Sequence, residues 1–177
     1  MDRILLSTVV YREPAAVFEA VRSFSNYPAY AEHLDEVTCD GDGGVGTRYG
    51  LHFSWWKLSY TVRSAVTEID EPRRLGWKLT ADLDATGEWR IEPLEPDGRP
   101  DIDEASRLYF EVRYDPHSAD PDTVSLPRFV SLDWVVRRVR PRLYDEAERV
   151  LGRLVEDVEG DSRNVELVVH DAPGSSA

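Results

Sequence analysis

His33, His52, His117 and His170 are the side chains best suited to proton transfer near neutrality, and they are scattered along the chain. None lies at a metal-ligand interval from another or from Cys39, the single cysteine, so no metal site is expected. The run "DGDGGVG", residues 40–46, has the glycines of a phosphate-cradling loop but lacks its lysine and following helix, and reads as a hairpin turn. No serine sits in a nucleophile elbow. Asp and Glu are so abundant that closeness in sequence assigns no acid–base pair. His52 alternates with Phe53 and points away from the apolar face, unless a bulge reverses the register and turns it inward as an acid or base. Glu68 shares a strand face with Ser64, where burial without a partner would be costly. It reads as a wet rim residue or a ligand contact. No cofactor motif is found and no cofactor is expected.

The aromatic residues make a stronger pattern. Tyr49, Leu51, Phe53 and Trp55 alternate with polar residues, as do Leu58, Tyr60, Val62 and Val66. Leu75, Trp77 and Leu79 follow, then Trp89 and Ile91, then Leu108, Phe110, Val112 and Tyr114. Period-two patterning with short turns means antiparallel strands with one buried and one wet face. Tyr49, Phe53, Trp55, Trp77, Trp89, Phe110 and Tyr114 therefore share one face, and Trp134 joins them from a helix. Such rings either fill a core or line a pocket. Gly50, Gly76 and Gly87 are expected to leave space between them.

These faces need elements to position them. Residues 3–11 read as a strand. In the next stretch Pro14 suits a first helical turn, and Val17, Phe18, Val21 and Phe24 fall at helical spacing. The connector "NYPAYAEHLDEV", residues 26–37, carries more bulk than a solvated loop needs and reads as a second short helix before a strand at Val37. Residues 127–159 are helical, with Leu132, Val136, Val139, Leu143, Ala147, Val150, Leu154 and Val158 in one stripe. Pro141 is expected to kink or split that helix. A last short strand falls in "NVELVVHD", and "APGSSA" reads as a frayed end. The order is α+β: a curved antiparallel sheet of about seven strands wrapped around a long C-terminal helix, with two short helices after the first strand. Residues 1–160 form one domain and 161–177 a C-terminal extension.

Composition limits the partners. The chain has 177 residues, 41% hydrophobic and 31% charged, the balance of a soluble globular domain. No apolar run reaches the ~20 residues of a membrane helix, so no stable membrane insertion is expected. A formal net charge of −13 disfavours nucleic acid and anionic membranes. Lysine occurs only at Lys57 and Lys78, and acidic residues are spread throughout. This reads as adaptation to a salty cytoplasm, where at ~1 M salt a Debye length of about 3 Å screens self-repulsion. One cysteine permits no internal disulfide and fits the same compartment. Arg137, Arg138, Arg140 and Arg142 form a basic cluster, either a solvated face or an anchor for an acidic ligand head group or a partner protein.

The opening "TVVYREPAAVFEAVRSFSNYPAYAEHLDEVTC" resembles the START/Bet v1-like (SRPBCC) superfamily, nearest its polyketide cyclase/dehydrase and coenzyme Q-binding START-domain branch. The likeness rests on Pro14, Val17 and Phe18, then on the aromatic-proline connector Phe24, Tyr27, Pro28 and Tyr30. It implies a helix-grip fold and a cavity between sheet and terminal helix, with Tyr27 and Tyr30 in its wall and mouth or merely plugging the core. It also implies binding or transport of a hydrophobic small molecule (a lipid, quinone or polyketide-like compound). A cyclase or dehydratase acting on a polyketide-like substrate and a protein-interaction module without ligand are the alternatives.

Overall fold

The computed structural model describes residues 1–96, 98, 99, 101–119 and 132–173; within the last helix it describes the side chains of Arg142 and of residues from Asp145 onward. The elements run β1 (Asp2–Val10), α1 (Pro14–Arg22), a 3-10 helix (Phe24–Ala29), β2 (Leu34–Asp40), β3 (Arg48–Trp55), β4 (Leu58–Asp70) and β5 (Arg74–Leu79). Then come β6 (Ala85–Leu94), β7 (Ala105–Tyr114), a 3-10 turn (Pro116–Ser118), α2 (Leu132–Glu159) and β8 (Val168–Asp171). The strands form one antiparallel sheet in the order β2-β3-β4-β5-β6-β7-β1-β8. Its eighth strand is the short one expected in the C-terminal extension, paired to the outer edge of β1.

Register places the apolar residues in cross-strand rows. Leu75, Trp89, Phe110 and Leu6 stand side by side, and Trp77, Gly87, Val112 and Ile4 form the next row. In β4, Val66 pairs with Trp77 and Glu68 with Gly76, leaving Thr67 as an extra residue. This bulge keeps Val66 and Ile69 against the core and turns Glu68 to the opposite face, exposed and 3.7 Å from Arg74. Strict alternation puts Glu68 on the face of Ser64; the inserted residue reverses that.

One end of the inner face is packed solid. Val17, Phe18 and Val21 of α1 meet Leu151, Leu154 and Val155 of α2 over Val10, Leu75, Ile91 and Leu108. Each fully buried side chain of this size contributes about 1.5–3 kcal/mol relative to exposure. Polar ties hold the end of α2 there. Arg12 donates to the Val158 carbonyl (2.6 Å), Arg153 to the Tyr30 carbonyl (2.7 Å), and the Tyr11 amide to the Glu159 carboxylate (3.1 Å). Cationic donors at a helix C-terminus satisfy carbonyls that have no partner in the helix.

The α2 helix runs unbroken through Pro141, so the expected split does not occur. Val150, Leu154 and Val158 of the sequence stripe pack on the core. The side chains of Leu132, Val136, Val139 and Leu143 lie outside the described residues, as do those of Trp134, Arg137, Arg138 and Arg140; Arg142 is exposed. Residues 127–131, expected to be helical, and the tail 174–177 also lie outside them.

Candidate functional site

Two aromatic clusters divide the inner face. Phe24 contacts Tyr49 (centroids 4.6 Å apart) and Tyr27 (4.9 Å), at the end sealed by α1. Phe110 contacts Trp89 (4.6 Å) and stacks with Trp77 (6.3 Å), toward the other end. Phe24, Tyr30 and Tyr49 are buried. Phe53, Trp55, Tyr60, Trp77, Trp89, Phe110 and Tyr114 are only half-buried. Of the residues singled out from sequence, Tyr27, Tyr30 and Tyr49 thus belong to the packed end, and Phe53, Trp55, Trp77, Phe110 and Tyr114 to the other. Trp89 stands between, packed against the core and in contact with Phe110.

The connector tyrosines plug the core and spend their hydroxyls locally. Tyr27 donates to the Val21 carbonyl and Tyr30 to the Asp157 carboxylate. Burial, aided for Tyr30 by Asp157, raises both phenols, Tyr30 to about 12. Tyr49 is raised too, first by burial and then by Cys39.

Gly50 and Gly76 face the convex side, because Tyr49, Leu51, Leu75 and Trp77 take the inner one. Gly87 does face inward, but the Trp77 indole lies across it: a Cβ there would fall 2.1 Å from the Trp77 Cζ2. The three glycines therefore leave no hollow of their own, contrary to expectation. What they leave is a flat indole on the sheet, and only Gly87 supplies it.

Tyr60 is the polar group that sequence reasoning passed over. It pairs with Phe53 on the inner face and donates to Asp82 (3.0 Å), a residue with φ of 71° in the loop after β5. Burial and then Asp82 push its phenol up to about 12. Nothing local in sequence marks Asp82, since the contact exists only because β4 outruns β5. His52 points to the convex side, bonded through Nδ1 to Thr61 (2.8 Å). His170 contacts the buried Ser7 Oγ through Nε2 (2.7 Å) and fastens β8 to β1.

The convex side is a charge lattice. Glu88 and Glu111 face one another across β6 and β7. Arg74 and Arg90 hold Glu88 (2.7 and 3.2 Å), and Arg3 and Arg113 hold Glu111 (2.9 and 2.7 Å). They surround a shallow basin of about 500 Å³ whose charges are spent on each other.

A curved sheet around a C-terminal helix, with aromatic residues on its inner face, defines the helix-grip class. The chain belongs to the polyketide cyclase / dehydrase and lipid transport family, which matches it over residues 1–159. Among solved structures it is similar to TTHA0849 from Thermus thermophilus, at 16% identity, 89% of this chain and 97% of that one, with a TM-score of 0.64. It is similar also to the Zhui aromatase/cyclase from Streptomyces sp. R1128, at 16% identity, 89% and 93% coverage and a TM-score of 0.66. Ara h 8.0201 aligns at 14% identity over 90% of this chain and 98% of its own, with a TM-score of 0.59. No curated protein matches the chain in sequence. Among the described residues, no helix is long and apolar enough to cross a membrane, and no group of three or more His, Cys, Asp or Glu is placed to hold a metal ion.

Proposed function

We propose that this protein carries a hydrophobic small molecule (lipid, quinone or polyketide-like) between the half-buried aromatic rows and α2, in the cytoplasm of a salt-adapted cell. One observation carries the reading: α1 and the end of α2 seal one end of the apolar face, while Phe53, Trp77, Phe110 and Tyr114 stay half-buried at the other. Each Å² of apolar ring left in water forgoes about 25 cal/mol, which a bound apolar molecule would recover. Membership in a family that includes lipid transport supports it.

The second reading, a cyclase or dehydratase, draws on the aromatase/cyclase neighbour and on the Tyr60–Asp82 pair. A phenol raised to about 12 keeps its proton near neutrality, and here it gives that proton's hydrogen bond to Asp82, so it is a poor proton-transfer group. We therefore assign the Tyr60 oxygen to accepting a hydrogen bond from a polar end of the ligand while its own proton stays engaged with Asp82.

The test is native mass spectrometry of protein purified without detergent in high salt, followed by tryptophan-quenching titration with a short-chain quinone. Co-purified apolar ligand and saturable quenching that weakens at least tenfold in Phe110→Ala are expected. A ligand-free protein that no quinone or fatty-acid probe quenches would overturn the proposal.

A further inference from the structure

The β3–β4 hairpin is an arm. β5 ends at Leu79, opposite Ser64, so residues 58–62 of β4 have β3 as their one strand partner. The arm closes in a two-residue loop, Trp56-Lys57, between Trp55 and Leu58. Two-residue loops of this kind favour glycine or asparagine where φ is positive. Here Trp56 takes that position, with φ of 56°, and is 59% exposed. A bulky side chain is strained in that region, and its ring gains little in return. The ring meets the Lys57 ammonium, 5.6 Å from its centroid. Lys57 has no carboxylate within ion-pair distance among the described residues, in a chain with 34 acidic ones. Trp55 and Leu58 flank the loop half-buried and continue the inner face through Phe53 and Tyr60.

An exposed indole beside an ammonium that has no carboxylate partner among the described residues, at the tip of an arm, is the pairing that suits a bilayer boundary. Indole rings settle at headgroup level, and a lysine reaches from there to the phosphates. Among the described residues of the loop Lys57 is a lone cation, not the cluster that holds an anionic lipid surface, so the fitting occupant is a zwitterionic one. We propose that the Trp56-Lys57 tip docks the protein reversibly on zwitterionic lipid surfaces, where cargo passes along Trp55, Leu58, Phe53 and Tyr60 to the aromatic rows. The inference rests on the carrier reading above.

Flotation with phosphatidylcholine vesicles tests it, comparing wild type with Trp56→Asn, a residue that tolerates positive φ. Wild type is expected to float with the vesicles and to be quenched by brominated acyl chains. Trp56→Asn should partition at least fivefold less, with an unchanged or higher unfolding midpoint and unchanged binding of a water-soluble quinone. Lack of flotation by wild type, equal flotation by both proteins, or a Trp56-dependent dimer in sedimentation without vesicle binding would each overturn the docking. Quinone binding without flotation sinks the docking alone. Flotation without any quinone or fatty-acid binding sinks the carrier reading, and with it the role given to the tip.

Discussion

The hydroxyl of Tyr30 donates to a carboxylate oxygen of Asp157, tying the connector after α1 to the last turn of α2. The ring is buried while Asp157 is exposed, so the bond joins a core residue to a solvated carboxylate. Tyr30→Phe should lower stability by about 1 kcal/mol, since Asp157 regains water when the hydroxyl is lost. The pH response carries the same signature. The Tyr30 phenol, at about 12, lies above its ordinary value near 10. Its contribution is thus complete below pH 10 and is lost as pH rises through 12. Urea unfolding midpoints at pH 7, 10 and 11.5 should fall less steeply for Tyr30→Phe than for wild type.

Glu111 gives the opposite pH dependence. Hydrogen bonding from Arg3 is the largest cause holding its carboxyl below the usual range, and Arg113 adds to it. A lowered acid stabilises the fold above its unfolded value and loses that stabilisation as pH falls through the folded one. Wild type should therefore lose stability as pH falls below the ordinary carboxylate value of 4.5, and Glu111→Gln should flatten that limb. At pH 7 the variant should be about 1 kcal/mol less stable, because its two half-exposed arginine partners rehydrate. Thermal melts across that pH range check both statements.

Strand alternation is a local signal, and it places Phe53, Trp77, Trp89, Phe110 and Tyr114 on the inner face as the structure has them. Family likeness in the opening residues supplies the helix-grip order. Relations made across strands are not legible. Thr67 becomes a bulge only through its pairing with β5, so alternation carries Glu68 to the wrong side. Gly87 reads as space because nothing in its own segment shows that Trp77 lies over it. Tyr30 turns its ring inward and sets its hydroxyl on a polar partner, but that partner is 127 residues away and invisible to spacing.

Gly87→Ala tests how firmly the aromatic floor is set. The new methyl would meet the Trp77 ring at 2.1 Å, well inside contact distance, so the indole must lift. Overpacking of this kind costs about 1–3 kcal/mol. Because Trp77 stacks on Phe110, the near-ultraviolet circular dichroism of the folded protein should change as well. An unaltered spectrum would mean that the ring is not held against the sheet.

The two halves of the inner face should answer truncation differently. Leu154 is almost wholly buried between α1 and the sheet, and Leu154→Ala opens a cavity in a packed region. A loss of about 2–5 kcal/mol follows, with quinone affinity unchanged wherever the variant remains folded. Phe110 touches Trp77 and Trp89 but is half-buried, so Phe110→Ala removes less packing. It should cost about 1–2 kcal/mol, below the usual aromatic truncation, while quinone affinity falls at least tenfold. Denaturation and quenching titrations on the same two proteins separate these effects. If Phe110→Ala matched Leu154→Ala in stability loss and left quenching intact, the aromatic rows would be ordinary core.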